Sequence, residues 1–305
     1  MAGNPHLIAR VGRVPHIILG MLLVAVWWPL AWMQLHPISD YYFFPLWLGF
    51  ILTVDGIVTL RTETSLWSRD RKRFLLLFVC SMPFWWIFEW MNRYLKDWHY
   101  VTPVSYSTVW YAILASVAFS TVVPAVLEMT ELMASLRVGE RLGNLPAWRF
   151  GTRTILAFEL LGWIMLVLVI RFPRYAFPLA WLSVFFIIEP VNALCGQRSV
   201  AYYVRHGKWY ALWNLMLATL VTGFFWEMWN YFSLPKWTYS VPFVGFAHVF
   251  EMPLLGYSGY LPFGLEVFSM FSLVFLVVFR APQHYAILYS HEPTESCNKP
   301  SRSRS

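Results

Sequence analysis

Two glutamate–asparagine pairs with matching neighbours lie 138 positions apart in the chain. Glu89 and Asn92 stand in the segment FWWIFEWMNRYLKDWHY, and Glu227 and Asn230 stand in FWEMWNYFSLPKWTY. On a helix, the i, i+3 spacing places both groups on one face, so the amide can donate to the carboxyl and fix its orientation. Structural hydrogen bonding between membrane helices is the alternative for a single pair. Because the pair recurs, all four residues are candidates for catalysis.

Aromatic residues make up 19% of the chain and crowd around both glutamates. We expect eight of them to contact a substrate: Trp86, Trp90, Trp98, Tyr100, Trp226, Trp229, Trp237 and Tyr239. Aromatic faces attract cations, more strongly where water is excluded. A carboxylic acid there could protonate a double bond of a long apolar alkene, and a second carboxylate could remove a proton from the resulting carbocation. The simpler alternative is an aromatic belt at the membrane–water interface.

Further acidic residues recur within apolar sequence. Glu128 and Glu266 each follow a proline by four residues, and Asp55 and Glu189 form another pair. Charged side chains within spanning helices are costly and usually functional. Glu128 and Glu266 are therefore second candidates for catalysis.

The neighbours of the two best candidates differ. Arg93 lies one helical turn beyond Glu89, whereas Glu227 has no such basic neighbour. A nearby cation favours the ionised form of a carboxyl group. This difference predicts Glu89 as the base and Glu227 as the acid.

No pattern in the sequence predicts a metal or a cofactor. The eight histidines are scattered, and the three cysteines (Cys80, Cys195 and Cys297) form no CxxC motif. No glycine-rich nucleotide loop or GxSxG motif is present. We expect packed thiols and a site built from the chain's own side chains.

The composition is that of a membrane protein. Hydrophobic residues make up 58% and charged residues 13%, against about 25% charged in soluble domains, and the mean hydropathy is +0.52. Runs of about 20 apolar residues can cross the hydrocarbon core. Eight such runs predict an all-α polytopic membrane protein: 15–35, 41–60, 74–92, 106–133, 153–171, 177–195, 210–232 and 261–280.

The basic residues predict the orientation. If the N-terminus is cytoplasmic, 18 of the 23 lysines and arginines fall on the cytoplasmic side and 5 on the outside. Cytoplasmic loops carry such an excess. We expect both termini in the cytoplasm and a location in the cell's inner (plasma) membrane. The net charge of +7 then reflects topology, and no nucleic-acid partner is expected.

The recurring segments predict a tandem duplication. We expect two parallel four-helix repeats, at 1–140 and 150–290, related by an axis along the membrane normal. A flexible, basic cytoplasmic tail is predicted for 283–305. We also expect 106–122 to form a separate re-entrant or interfacial piece, and 242–260 to form a structured loop on the outer side.

The order of these motifs resembles the small integral-membrane lycopene cyclases of carotenoid biosynthesis, the heterodimeric or fused type, which also consist of two related halves. The residues that carry the resemblance are Trp86 to Glu89, Trp98, Tyr100, Pro124 to Glu128, Trp226 and Glu227, Trp237, Tyr239, and Pro262 to Glu266. The chain departs from that family in having Glu for Asp, no Glu-Glu doublet and an additional helix in each half. The resemblance implies a redox-neutral, acid-catalysed cyclisation or isomerisation of an isoprenoid.

Three functions follow as hypotheses. The first is an integral membrane enzyme that acts on an isoprenoid or carotenoid-like lipid by acid–base chemistry. The second is a proton-coupled transporter or lipid-handling protein, with the acids as proton relays. The third is a structural subunit of a larger membrane complex. The expected partner is a membrane lipid or an apolar polyprenoid, and the oligomeric state is left open.

Overall fold

The computed structural model describes residues 14–290, which are almost entirely helical. Within these described residues, eight stretches are long and apolar enough to cross a membrane: Pro15–Met33, Phe43–Thr62, Arg71–Leu95, Thr108–Ser135, Thr152–Arg171, Pro173–Leu194, Trp209–Tyr231 and Leu254–Phe279. The chain is therefore an all-α, multi-pass membrane protein, which confirms the prediction from composition.

Seven helices lie within residues 14–142 of the described structure. They are α1 (Pro15–Met33), α2 (Phe43–Thr62), α3 (Leu66–Arg69), α4 (Arg71–Leu95), α5 (Thr108–Phe119), α6 (Val122–Ser135) and α7 (Val138–Leu142). The second half forms six. They are α8 (Thr152–Arg171), α9 (Pro173–Ala176), α10 (Ala180–Leu194), α11 (Val200–Arg205), α12 (Trp209–Tyr231) and α13 (Tyr260–Phe279). Short 3-10 turns span Ile38–Tyr41, Phe177–Leu179 and Leu254–Gly259.

The fourth spanning stretch is broken between α5 and α6. Pro124 lies in the first turn of α6, where its missing N–H breaks no helical hydrogen bond. The Ser81 hydroxyl of α4 donates to Phe119 O at 2.5 Å and accepts from Val123 N at 3.1 Å. One side chain thus satisfies two backbone groups that the break would leave unpaired. Helix α5 is the separate piece expected before the fourth helix.

Two short strands join the halves. Strand β1 (Trp98–Val101) pairs antiparallel with β2 (Lys236–Tyr239), so that Trp98 lies opposite Tyr239 and Tyr100 lies opposite Trp237. The two recurring segments therefore meet in space.

The segment 242–260 has a structure of its own. It contains a small ribbon of β3 (His248–Val249) and β4 (Met252–Pro253), which pair antiparallel. The 3-10 turn Leu254–Gly259 then leads directly into α13.

Helix α6 occupies the centre of the bundle. Each of its first ten residues, 122–131, is buried, and the helix packs against α2, α4 and α12. In contrast, α1 and α8 bury few of their side chains and present large apolar residues outward. This distribution suits helices that face hydrocarbon on the outside of a bundle.

The segment 283–290, expected to begin a flexible tail, is instead packed against the helices. Tyr285, Ala286 and Leu288 are at most 2% exposed. The Tyr285 hydroxyl donates to Leu66 O at 2.6 Å, and Ile287 N donates to Glu131 at 2.9 Å. Hydrogen bonds to buried partners explain why a polar-looking segment is ordered. The rest of the predicted tail, 291–305 with Cys297, lies outside the described residues.

Polar contacts recur at paired positions of the two halves. Asp55 accepts from Ser65 Oγ at 2.8 Å and from Trp67 N at 2.9 Å, at the start of α3. Glu189 accepts from Ser199 Oγ at 2.6 Å and from Ala201 N at 2.5 Å, at the start of α11. Both carboxyl groups satisfy free N–H groups at a helix start. The superposition of the whole halves about the membrane normal stays a prediction.

Candidate functional site

A cavity of about 440 Å³ lies where β1, β2 and the ends of α2, α5 and α13 meet. Five of the eight aromatic residues predicted to contact a substrate line it: Trp98, Tyr100, Trp226, Trp237 and Tyr239. Its charged lining residues, Asp40 and Lys236, are paired with His36 and Glu251. A volume of this size is ordinary for small-molecule sites, which span about 300–1,000 Å³.

The other three predicted aromatic contacts lie away from the cavity. Trp86 donates to Ser116 Oγ at 3.0 Å on the side of α5, and Trp90 is 39% exposed. Neither residue lines the cavity, and Trp90, which directly follows Glu89, is turned from it by about 100° around α4. Trp229 is 2% exposed and packs against Trp28, Trp47, Phe50 and Phe225 in the core.

The two asparagines hold the strands rather than the glutamates. Asn92 Nδ2 donates to Trp98 O at 2.8 Å, and Asn92 Oδ1 accepts from Asp97 N at 3.0 Å. Asn230 Nδ2 donates to Trp237 O at 2.7 Å and its Oδ1 accepts from Trp237 N at 2.8 Å. The expected amide–carboxyl bond within each pair is replaced by bonds to the backbone that follows the helix. Both asparagines are thus positioning residues for the strands.

Three side chains donate to one oxygen of Glu89. Glu89 Oε1 accepts from Trp85 Nε1 at 3.0 Å, from Trp98 Nε1 at 3.1 Å and from the Tyr100 hydroxyl at 2.6 Å. All three donors also line the cavity. Glu89 therefore lies behind a layer of aromatic side chains that separates it from the cavity.

Glu227 has two phenolic partners. Its Oε1 lies 2.7 Å from the Tyr239 hydroxyl and 2.6 Å from the Tyr260 hydroxyl, and both rings line the cavity. Trp237 Nε1 donates to the Tyr239 oxygen at 2.8 Å. The Glu227 side chain is fully buried, and its Oε2 has no hydrogen-bond partner within residues 14–290.

The strand tyrosines remain neutral hydroxyls at physiological pH. Burial, followed by the neighbouring Glu89 carboxyl group, raises the pKa of Tyr100 well above its usual value. Burial and Glu227 do the same to the pKa of Tyr239. Removing water and placing a negative charge nearby both disfavour a phenolate. Each tyrosine therefore presents an intact O–H group beside its glutamate.

Glu128 and Glu266 lie apart from this cluster. Both side chains are fully buried, neither lines the cavity, and their four carboxyl oxygens have no hydrogen-bond partner in the described part of the chain. Glu128 lies beside Asp55. The structure thus brings Glu89 and Glu227 to one cavity and leaves Glu128 and Glu266 outside it.

The structure does not support Arg93 as the residue that distinguishes Glu89 from Glu227. Among the described residues, no ion pair joins Arg93 to Glu89, and Arg93 is exposed. Glu89 takes its partners from two indoles and a phenol instead. The hydrogen-bond donors around each glutamate, rather than a nearby arginine, set them apart.

Trp85 and Tyr260 were missing from the predicted site. Trp85 lies four residues before Glu89, on the same helix face, which was a usable signal. Tyr260 reaches Glu227 from the start of α13, 33 residues away. No spacing rule connects the two, so only the tertiary structure reveals the contact.

Within residues 14–290, no group of three His, Cys, Asp or Glu side chains could hold a metal ion. Comparisons with protein-family models, with curated proteins and with solved structures found no match to this chain.

Proposed function

We propose that this protein is an integral membrane enzyme that isomerises or cyclises an apolar isoprenoid or carotenoid-like lipid by acid–base chemistry. The observation that supports it is an aromatic cavity in which tyrosine hydroxyls, each bonded to a glutamate, supply polar groups to a mostly apolar wall. Apolar pockets with a few convergent polar groups are the usual form of a small-molecule site.

The rings suit a cationic intermediate. Trp181 lies between Trp98 and Phe263, with ring centroids at 6.3 and 5.8 Å, and all three line the cavity. Aromatic faces attract a cation within about 6 Å of the ring centroid. The faces of these rings would stabilise a carbocation formed in this cavity.

The two glutamates supply a proton and remove one. A proton from the Glu227 cluster would form a C–H bond at one alkene carbon and leave the positive charge on its neighbour. Loss of a proton from an adjacent carbon, through Tyr100 to Glu89, would form the new double bond. Glu89 is half-buried and Glu227 is fully buried. Water then takes the proton from Glu89 and returns one to Glu227. Because the substrate gains one proton and loses one, the reaction is redox-neutral.

The positive-inside rule orients the site. With both termini cytoplasmic in the plasma membrane, β1, β2 and the cavity lie toward the outer side. Reporter fusions after residues 100, 145, 240 and 290 should read outside, inside, outside and inside. An inside reading at 100 or 240 would contradict this orientation.

The test of the reaction is expression in a host that makes lycopene and linear polyprenoids. Extracted lipids are compared by mass spectrometry with those of cells that carry Glu227→Gln. We expect new isomers of unchanged mass, and one deuterium per product molecule when membranes are incubated in heavy water. Identical lipids in both strains would contradict an enzymatic role on these substrates.

A proton-coupled lipid carrier is the second candidate. The observation in its favour is the separate set of buried acids, Asp55, Glu128 and Glu266, away from the cavity. Buried ionisable groups at different depths of a membrane protein can relay protons. Proteoliposomes distinguish the two, because a carrier acidifies the lumen when lipid moves and an enzyme changes the lipid itself.

A further inference from the structure

The direction of the hydrogen bonds at Glu227 follows from the chemistry of its neighbours. An indole N–H can only donate, so the Tyr239 oxygen accepts from Trp237 Nε1 at 2.8 Å. The single proton of Tyr239 is then directed to Glu227 Oε1 at 2.7 Å. Trp237 thereby holds Tyr239 as a donor to the glutamate.

Tyr260 is not held in this way. Its hydroxyl lies 2.6 Å from Glu227 Oε1, and within residues 14–290 it has no second hydrogen bond. A phenolic hydroxyl can donate or accept, so Tyr260 can take part in either direction.

The proton of Glu227 has one acceptor. Among residues 14–290, no group forms a hydrogen bond with the buried Glu227 Oε2, so an O–H placed there would have no acceptor among them. On Oε1, the proton would point to Tyr260, because Tyr239 is already a donor. The protonated acid therefore donates to Tyr260.

Glu89 offers no such route. Two indole N–H groups, from Trp85 and Trp98, donate to its Oε1, and neither can accept a proton. An oxygen that accepts two N–H groups carries no proton of its own to give to Tyr100. The Tyr100 hydroxyl is therefore a donor to Glu89 as well. The first cluster receives protons, whereas the second can release one.

A glycine makes room for the Tyr260 ring. A Cβ at Gly223, one turn before Glu227 on α12, would lie 2.5 Å from Tyr260 Cδ2 and Cε2. This is far closer than van der Waals contact, about 3.5–4.0 Å. The missing side chain lets the ring lie across α12 with its hydroxyl at Glu227 and its face in the cavity.

We propose that Tyr260 is the catalytic residue that delivers the proton of Glu227 to the substrate. This assignment rests on the proposed function. Tyr260 O–H gives its proton to an alkene carbon, the π electrons form the C–H bond, and Glu227 Oε1 passes its proton to the Tyr260 oxygen. Tyr260 ends unchanged, and Glu227 ends as a carboxylate that accepts from Tyr239 and Tyr260.

Tyr260→Phe tests the assignment, with Tyr257→Phe as the matched control. Tyr257 lies three residues before Tyr260, in the Leu254–Gly259 turn, but its hydroxyl donates to Val249 O at 3.1 Å and it does not line the cavity. We expect Tyr260→Phe to lower turnover of the host's polyprenoids by about 100-fold or more. Tyr239→Phe should lower it less, and Tyr257→Phe should leave it within about twofold. Turnover by Tyr260→Phe within about threefold of the wild type would overturn the assignment.

Infrared spectroscopy gives a readout that needs no turnover. The purified protein should show a protonated-carboxyl band that disappears in Glu227→Gln, shifts in Tyr260→Phe and stays in place in Tyr257→Phe. If no band disappears in Glu227→Gln, or if Tyr260→Phe leaves it unshifted, the proposal is wrong. If the wild type yields no product, the proposed reaction fails, while this band still decides whether Glu227 donates to Tyr260.

Discussion

The two glutamate clusters differ in the residue that stands four positions before the glutamate. At Glu89 this residue is Trp85, whose indole donates to the carboxyl group. At Glu227 it is Gly223, and the ring of Tyr260 occupies the space beside it. The same helix position thus supplies either an indole, which can only donate, or space for a phenol, which can donate or accept.

This difference shows how recurring segments can acquire distinct roles. Both glutamates lie near the end of a helix that is followed by a strand, and both are bonded to a strand tyrosine. Two indoles and one phenol contact the first, whereas two phenols contact the second. Because only the phenols can both accept and donate, the second cluster is suited to give a proton and the first to receive one.

Glu227→Gln should have the largest effect. Gln keeps the shape and the hydrogen bonds but cannot give up a proton under these conditions, so turnover should fall about 10²–10⁴-fold. Glu89→Gln should give a smaller loss, since a tyrosine or water could still take the proton. Product formation per mole of folded, purified protein is the measurement. Full activity in both variants would remove the catalytic role from this comparison.

Gly223→Ala should have the second-largest effect on turnover. The added methyl group collides with the Tyr260 ring, and overpacking of this kind costs about 1–3 kcal/mol of stability. We expect turnover to fall at least tenfold, because the Tyr260 hydroxyl is displaced from Glu227. Gly151→Ala is the control, since, apart from its own chain neighbours, no atom of the described residues lies within 4 Å of a Cβ at that position. Equal activity in both variants would contradict the role of Gly223.

Alanine substitutions of the two asparagines test how strongly each strand is anchored. Asn230→Ala leaves backbone groups of Trp237 without partners, and Asn92→Ala does the same around Trp98. Asn230 is fully buried and Asn92 is half-buried. Unpaired buried polar groups cost about 1–3 kcal/mol each, so Asn230→Ala should lower the melting temperature in detergent more than Asn92→Ala does. The reverse order would mean that β1 is the better-buried strand in solution.

Asp97 should make stability depend on pH through the first recurring segment only. The matching position of the second segment holds Pro235 or Lys236, depending on the offset. Burial raises the pKa of Asp97 to about 6, above the unfolded value of about 3.9. The folded state then binds more protons between these values, so stability falls as pH rises from about 4 to 6 and stays lower above that. Asp97→Asn should remove this fall and, for a shift of about two pKa units, stabilise the protein at pH 7 by about 3 kcal/mol. Thermal unfolding at pH 4 to 8 checks it, and parallel curves for both proteins would exclude Asp97 as the cause.

Local spacing predicted the residues that lie near one another along the chain. The apolar runs predicted the spanning helices because hydrocarbon requires long apolar helices with internally satisfied backbones. The recurring carboxyl groups pointed to Glu89 and Glu227, and Trp98, Tyr100, Trp226, Trp237 and Tyr239 proved to line one cavity. The aromatic count alone did not separate these from Trp90, which faces outward, or from Trp229, which packs in the core.

The sequence by itself determined that this is a multi-pass helical membrane protein with two recurring acidic segments, because length, hydropathy and spacing are local properties of the chain. The tertiary structure decided which aromatic residues share a cavity with those segments, that 283–290 packs into the bundle, and that Tyr260 lies on Gly223 beside Glu227. These contacts join residues far apart in sequence, and they depend on how the helices pack and on the pairing of β1 with β2. Periodicity within one helix carries no information about its partners, so this part of the site could only be read from the fold.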